Sequence, residues 1–234
     1  MKTVSRVMHK LKKIAGIERN EPAKNIQCSE FEVDNWVISD FIVKKLIPVV
    51  GTHPYPIMEL NLMVAAVCRL KPQQIFEWGT NIGKSARIFY ETGKHFNIPL
   101  EIHSIDLPDD LEHAEHPKSN RGRMVKGYSG VSLYQADGLS KSIELYRRHP
   151  NKTTLVFIDG DHSHESVSRE LAGITEAMPN AAILLHDTFF QSEQSDYNVG
   201  PHKAIAEMLA TKPEKYRVMS TTTGLPGMTL LYKL

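Results

Sequence analysis

Cysteine is scarce: Cys28 and Cys68 are the whole complement of 234 residues, and their spacing is that of no paired motif. A disulfide scaffold is excluded, and the chain reads as a reduced, cytoplasmic protein. Cys68 lies in an apolar helical run and is expected in the core. Charge of one sign is also missing. The net charge of +1 leaves no broad positive field of the kind nucleic-acid binders use, which favours small molecules or glycans over RNA and DNA as partners. Long apolar runs are absent as well, so no segment approaches a membrane-spanning length. No internal repeat or low-complexity segment is visible. With 41% hydrophobic residues, the length suits one α/β domain with a full core and is short for two.

What is present centres on IFEWGTNIGKS, Ile75 to Ser85. Ile75 and Phe76 follow the turn KPQQ and read as a short buried strand. KSARIFYETGKHF reads as a helix with apolar positions at Ala86, Ile88, Phe89 and Phe96. Strand, tight loop and helix N-terminus form the ligand crevice of an open α/β sheet. Gly79 and Gly83 let backbone approach a ligand where a side chain would block it. A dinucleotide fingerprint would need glycine where Glu77 stands, and an anion there repels a pyrophosphate. A P-loop needs four residues between its glycines, and GTNIGKS has three. An acidic strand end beside bare backbone, with Thr80 and Ser85 in the same loop, suits a cationic ligand carrying an ammonium, a sulfonium and a ribose. S-adenosylmethionine is that molecule.

The later strand ends agree. EIHSIDL ends at Asp106, placed to accept both ribose hydroxyls. VSLYQADG brings Asp137 and Gly138 to the next strand end, where adenine would lie. TTLVFIDGDH ends in Asp159 and Asp161, with Gly160 permitting a sharp turn, and AAILLHDT ends in His186 and Asp187. In a parallel sheet all these ends share one face.

From Pro54 onward the chain resembles the class I S-adenosylmethionine-dependent methyltransferases. FIDGDHSHESVSRELAGITEAMPNAAILLHDTFF sharpens this to the small-molecule O-methyltransferases related to the sugar, macrocin and cephalosporin-type enzymes. The resemblance implies a Rossmann-like methyltransferase fold: a seven-stranded, mostly parallel sheet with an antiparallel last strand and helices on both faces. It also implies methylation of a hydroxyl on a small molecule or glycan, with sugar as the first choice. In the resembling metal-dependent enzymes an acid after the fourth strand and an acidic pair after the fifth hold magnesium, and the second acid of DGD is the base. Carried over, the cofactor contacts include Asp159, the metal ligands are Asp159, His186 and Asp187, and the base is Asp161 or His162. His186 departs from the acidic pair and shifts the metal toward manganese or another transition ion. A metal-free arrangement uses His162 as base and His186 to position the acceptor. Two rivals remain, a non-catalytic S-adenosylmethionine-binding protein and, disfavoured by Glu77, an NAD-dependent oxidoreductase.

The rest of the chain is expected to serve this site. Residues 1–17 form a basic amphipathic helix, favoured to pack on the domain or a second subunit, with attachment to an anionic membrane surface as the alternative. Residues 1–50 are expected as a helical extension and 51–234 as the catalytic domain. Phe31, Trp36, Val37, Phe41, Ile42 and Leu46 are expected to pack as a cover helix. His53 and Tyr55 precede the helix before the first strand and are weighed as turn residues or acceptor contacts. The long loop from Leu107 to Gly130 is expected to fold over the cofactor, with Arg121, Arg123 and Lys126 as candidate ligands for an acidic sugar or phosphate. His113 and His116 are a weak metal pair. Tyr197 and His202 fall on the acceptor side. YRVMST and MTLLYKL read as a closing antiparallel hairpin.

Overall fold

The computed structural model describes residues 28, 30–111, 118–195, 198–211 and 215–233. The N-terminal amphipathic helix, the His113/His116 pair and Tyr197 lie outside the described residues. The first helix, α1, runs in three continuous pieces, Asn35–Phe41, a π-helical Ile42–Leu46, and Ile47–Val50. Asp34 starts it by accepting the N–H groups of Trp36 and Val37. There follow α2 (Ile57–Leu70), β1 (Gln74–Trp78), α3 (Lys84–Phe96), β2 (Glu101–Asp106), β3 (Val131–Gln135), α4 (Gly138–Arg148), β4 (Thr154–Ile158), α5 (His164–Ala177), β5 (Ala182–His186), α6 (Val199–Thr211), β6 (Arg217–Ser220) and β7 (Met228–Tyr232).

The strands form one sheet in the order β3-β2-β1-β4-β5-β7-β6. β7 is antiparallel to both β5 and β6, and the other pairings are parallel. Every residue of β1, β4, β5 and β7 is buried, as strands covered on both faces require. Alternate residues feed two cores. Ile75, Leu155, Phe157 and Leu184 pack under α1, α2 and α3, whereas Phe76, Val156, Ile158 and Leu185 pack under α4, α5 and α6. The expected fold class is therefore the observed one, closing hairpin included.

Cys68 is fully buried, as expected, and so are Ala86, Ile88 and Phe89. Trp36 is a correction: it is 89% exposed. The buried face of α1 is Ile38, Phe41, Ile42, Leu46 and Val50, and a residue two before Ile38 points to the opposite side of the helix. Among the described residues no helix is long and apolar enough to cross a membrane.

Candidate functional site

β1 lies between β2 and β4, where the strand order reverses and a crevice opens at the C-terminal strand ends. Glu77 sits inside β1 rather than at its end, and Gly79 opens the loop. Gly79 has φ +88°, and a Cβ there would stand 2.0 Å from the Asp159 carbonyl oxygen. Glycine thus brings the β1 and β4 loops into contact. Gly83, at φ +85°, closes the turn by donating its N–H to Thr80 O at 2.7 Å. Glu77 is fully buried. Its Oε1 accepts from Ser85 Oγ at 2.5 Å, while Oε2 has no hydrogen-bond partner. Burial pushes this carboxyl up to about 7 against the lowering effect of the neighbouring Ser104 and Ser85 hydroxyls, and the charges of Asp159 and Asp106 add to the rise.

The other cofactor candidates are placed less uniformly. Thr80 is buried, its Oγ1 2.7 Å from Ser104 Oγ, so its hydroxyl stiffens the loop from inside. Asp106 ends β2 and accepts from the N–H groups of Asn81 and Leu107 and from Arg121 Nε at 3.0 Å. Asp137 caps α4 by accepting the Ser140 N–H at 2.8 Å, with its side chain 44% exposed. Gly138 makes room for packing, since a Cβ there would lie 2.6 Å from the Trp78 ring.

The long loop folds back on the glycine turn: Gly122 and Met124 donate their N–H groups to the carbonyls of Asn81 and Ile82, at 2.8 and 3.0 Å. Arg121 is therefore no acceptor ligand here. Its guanidinium is spent on Asp106, Asp109 and the Leu107 carbonyl. Arg123 and Lys126 remain exposed.

The rim above β4 and β5 gathers the remaining candidates. His186 ends β5 almost fully buried. Its Nδ1 lies 2.9 Å from Asp159 Oδ1 and 3.2 Å from Asp187 Oδ2, and its Nε2 lies 3.0 Å from Glu59 Oε2. Burial opposes a charge on this ring, but the Asp159 charge and the hydrogen bonds to Asp159, Asp187 and Glu59 push it up to about 12. Burial likewise works against the Asp159 charge, yet His186 and the Tyr55 hydroxyl, which donates at 2.5 Å, hold that carboxyl below its usual range. Asp187 adopts φ +56°, a conformation that non-glycine residues favour little and that functional sites retain. Its Oδ1 is buried with no hydrogen-bond partner. Among the described residues Asp159, His186 and Asp187 are the group whose ligand atoms, all within 4.8 Å of one another, suit a metal ion.

The two candidate bases differ. Asp161 accepts from the N–H and Oγ of Ser163, both at 2.9 Å, and so is used at the start of α5. His162 faces the cluster, with Nε2 3.2 Å from Asp187 Oδ2 and its side chain 31% exposed. The His202 ring lies tilted against Phe190, with 4.7 Å between ring centroids.

Glu59 was not anticipated from the sequence. The signal was present, because an acid in IMELNLMVAAVC falls on the helix face that Met63 and Ala66 bury. Tyr55, weighed as a turn residue or an acceptor contact, bonds Asp159, with its ring edge-on to His186 and 4.9 Å between centroids.

A crevice at the β1 switch point, in a sheet whose last strand is inserted antiparallel between β5 and β6, is the architecture of the S-adenosylmethionine-dependent methyltransferases. Within that class, the family model Rhamnosyl O-methyltransferase/CmcI matches residues 53–226, most of the chain, and the protein belongs to that family. It is an S-adenosylmethionine-dependent O-methyltransferase. Solved structures share the fold at low identity. An O-methyltransferase from Bacillus cereus in complex with S-adenosylhomocysteine is 15% identical, TM-score 0.55, over 85% of this chain and 97% of that one. The S-adenosylhomocysteine-bound Podospora anserina methyltransferase PaMTH1 is 16% identical, TM-score 0.54, over 100% and 96%. The calicheamicin methyltransferase CalS11 is 15% identical, TM-score 0.51, over 83% and 85%. No curated protein sequence matches the chain.

Proposed function

We propose that this enzyme methylates a hydroxyl of a sugar, free or within a larger glycan or small molecule, with residues 51–234 as the catalytic domain and 1–50 as an extension. The observation that carries the reading is the rim: His186 held between Asp159 and Asp187, with His162 beside it on Asp187. An aliphatic hydroxyl is a poor nucleophile until it loses its proton, whereas the sulfonium is already activated. The chain's task is to align oxygen with methyl carbon and to take the proton. Asp187 holds His162 through Nε2, which leaves Nδ1 as the basic nitrogen of that tautomer. The family description names a rhamnosyl O-methyltransferase, and CalS11 is described as a TDP-rhamnose 3'-O-methyltransferase.

Two carboxylates and an imidazole, with Asp187 Oδ1 buried and unpartnered, make a donor set that fits a divalent cation such as manganese or magnesium. Asp159, His186 Nδ1 and Asp187 would hold it. When bound, the ion would act as a Lewis acid on the acceptor oxygen and stabilise the developing alkoxide. A second reading has its own support. With no metal, the ring is pushed up to about 12, and the imidazolium itself supplies positive charge between the carboxylates.

At the cofactor end, Glu77, Gly79, Gly83, Ser85 and Asp106 form the candidate contacts, with Asp137 and Gly138 toward the adenine. Glu77 yields a pH dependence whose sign follows from its raised value. Its native carboxyl binds a proton that the unfolded chain has lost, so stability is greatest below the ordinary glutamate range. It falls by about 3 kcal/mol as pH rises to about 7. A ligand ammonium favours the ionised form. Cofactor binding should therefore release a proton below pH 7, and affinity should rise toward that pH and flatten above it. Calorimetry in buffers of differing ionisation enthalpy would read the proton. Proton uptake, or none at pH 6, would remove Glu77 from the ammonium.

The function itself is tested on chelator-treated protein titrated with S-adenosylmethionine, then with manganese or magnesium, in wild type and Asp159→Ala, followed by methyl transfer to a panel of sugar acceptors. Cofactor binding, a metal heat that vanishes in the variant and turnover of a sugar are expected. Turnover with no metal heat would select the imidazolium reading. Transfer to non-sugar acceptors alone would end the sugar assignment.

A further inference from the structure

We propose that Glu59 is the positioning residue that makes His186 a nitrogen donor at the rim, so that the site selects a borderline first-row transition ion over magnesium. The inference rests on the metal reading above. Glu59 is 2% exposed and comes from the first turn of α2. Its Oε2 lies 3.0 Å from His186 Nε2, and its Oε1 accepts the Gly227 N–H at 2.8 Å. A carboxylate offers only acceptors, so Nε2 carries its proton toward Glu59. The other nitrogen, Nδ1, is aimed where Asp159 Oδ1 and Asp187 Oδ2 converge, at 2.9 and 3.2 Å. This is how an outer carboxylate fixes the tautomer of a ligating histidine. The Tyr55 ring, set edge-on with 4.9 Å between ring centroids, limits the imidazole from the side.

A magnesium site built on an acidic pair after the fifth strand would carry a carboxylate where this chain has His186. The replacement removes a negative charge from the donor set, and Glu59 restores it directly behind the ring. The donor atom nevertheless changes from oxygen to nitrogen. Magnesium strongly prefers oxygen ligands in a tight octahedron, whereas imidazole nitrogen suits the later first-row ions.

Glutamine at position 59 cannot reproduce the arrangement. Its single oxygen can accept from Gly227 or from His186, and its amide then meets the other group with a donor. The Gly227 N–H has little room to retreat: the residue sits at φ +84°, and its Cβ position is 2.4 Å from Phe189 N. The oxygen therefore stays with Gly227, and the amide turns His186 to the tautomer whose proton occupies Nδ1.

The test is calorimetric titration of the chelator-treated full chain with cobalt(II), manganese(II) and magnesium, in wild type and Glu59→Gln, with visible absorption of the cobalt-loaded samples. Affinity for cobalt(II) should fall about 10- to 100-fold in Glu59→Gln, and affinity for the harder manganese(II) by less. The magnesium constant should change less, and the cobalt bands should shift as a nitrogen donor is lost. Affinity for S-adenosylhomocysteine, whose candidate contacts do not include Glu59, should be unchanged and reports a folded variant. A second variant, Glu59→Gln with His186→Asp, replaces the nitrogen by oxygen and should lower the cobalt-to-magnesium affinity ratio relative to wild type. Metal binding with the ratio and cobalt spectrum unaltered in both variants would overturn the proposal and leave the metal reading intact. No heat with any ion in wild type would overturn both.

Discussion

Alanine in place of Gly79 should unfold the enzyme about 10 °C below the wild type and abolish cofactor binding, whereas Gly160→Ala should change neither. At Gly79 two costs coincide. The residue has φ +88°, which costs an L-residue roughly 1–2 kcal/mol. Its added Cβ would stand 2.0 Å from the Asp159 carbonyl oxygen and 2.9 Å from the carbonyl carbon. Backbone atoms cannot swing aside as a side chain can, and overpacking of this kind costs roughly another 1–3 kcal/mol. A total of about 3 kcal/mol corresponds to about 10 °C for a chain of this size. The loss of function has the same origin. Asp159 N donates to Trp78 O at 3.2 Å, so parting the two loops displaces Asp159 along with the glycine turn. Gly160 is the control because nothing lies within 4 Å of its Cβ position and its φ is not positive. Thermal unfolding and calorimetry with S-adenosylhomocysteine read both outcomes. A Gly79→Ala protein within about 0.5 kcal/mol of wild type, the range of an ordinary surface change, would mean that the β1–β4 junction yields without effect.

That pair of glycines also marks where sequence reasoning works and where it stops. The strand–loop–helix succession around Gly79 was legible because apolar runs, glycine and helical periodicity are local. The strand ends at Asp106, Asp137, Asp159 and His186 were legible for the same reason, and a parallel sheet then places them on one face. Which glycine is sterically necessary was not. Gly160 looked like the turn residue, yet it is Gly79 that touches backbone 80 residues away in sequence. The partners of each acid were equally hidden. Asp106 was expected to meet a ribose, and the structure adds Arg121 from 15 residues further on. Asp137 looked like a ligand and also serves as a helix cap. Glu59 is separated from His186 by 127 residues, and only the odd placement of an acid on an apolar helix face announces it. Trp36 failed for a simpler reason: its hydrophobicity was counted, but its phase on the helix was not.

His162→Ala should lower kcat about 10²- to 10⁴-fold, the usual contribution of a general base, with S-adenosylhomocysteine affinity unchanged. Asp161→Ala should lower it far less. The two residues are neighbours in DGDH, and sequence alone gives each an equal claim to the acceptor proton. Geometry separates them. Both oxygens of Asp161 are engaged by Ser163, whose own side chain caps α5. Burial pushes this carboxyl up, but the hydrogen bonds from Ser163 together outweigh it and hold the carboxyl below the usual range, which makes it a weaker base. Removing it should instead cost roughly 1 kcal/mol of stability, the worth of a local hydrogen bond at a helix start. His162 is held by Asp187 at 3.2 Å, the same oxygen that faces His186, so its ring is coupled to the atoms that would meet the acceptor. Single-turnover methyl transfer with a responsive acceptor, measured beside thermal unfolding for each variant, separates chemistry from folding. A large loss of kcat in Asp161→Ala with near-normal turnover in His162→Ala would transfer the proton to Asp161. It would also require the start of α5 to rearrange when acceptor binds, because the oxygens of Asp161 cannot both hold Ser163 and receive a proton from the substrate.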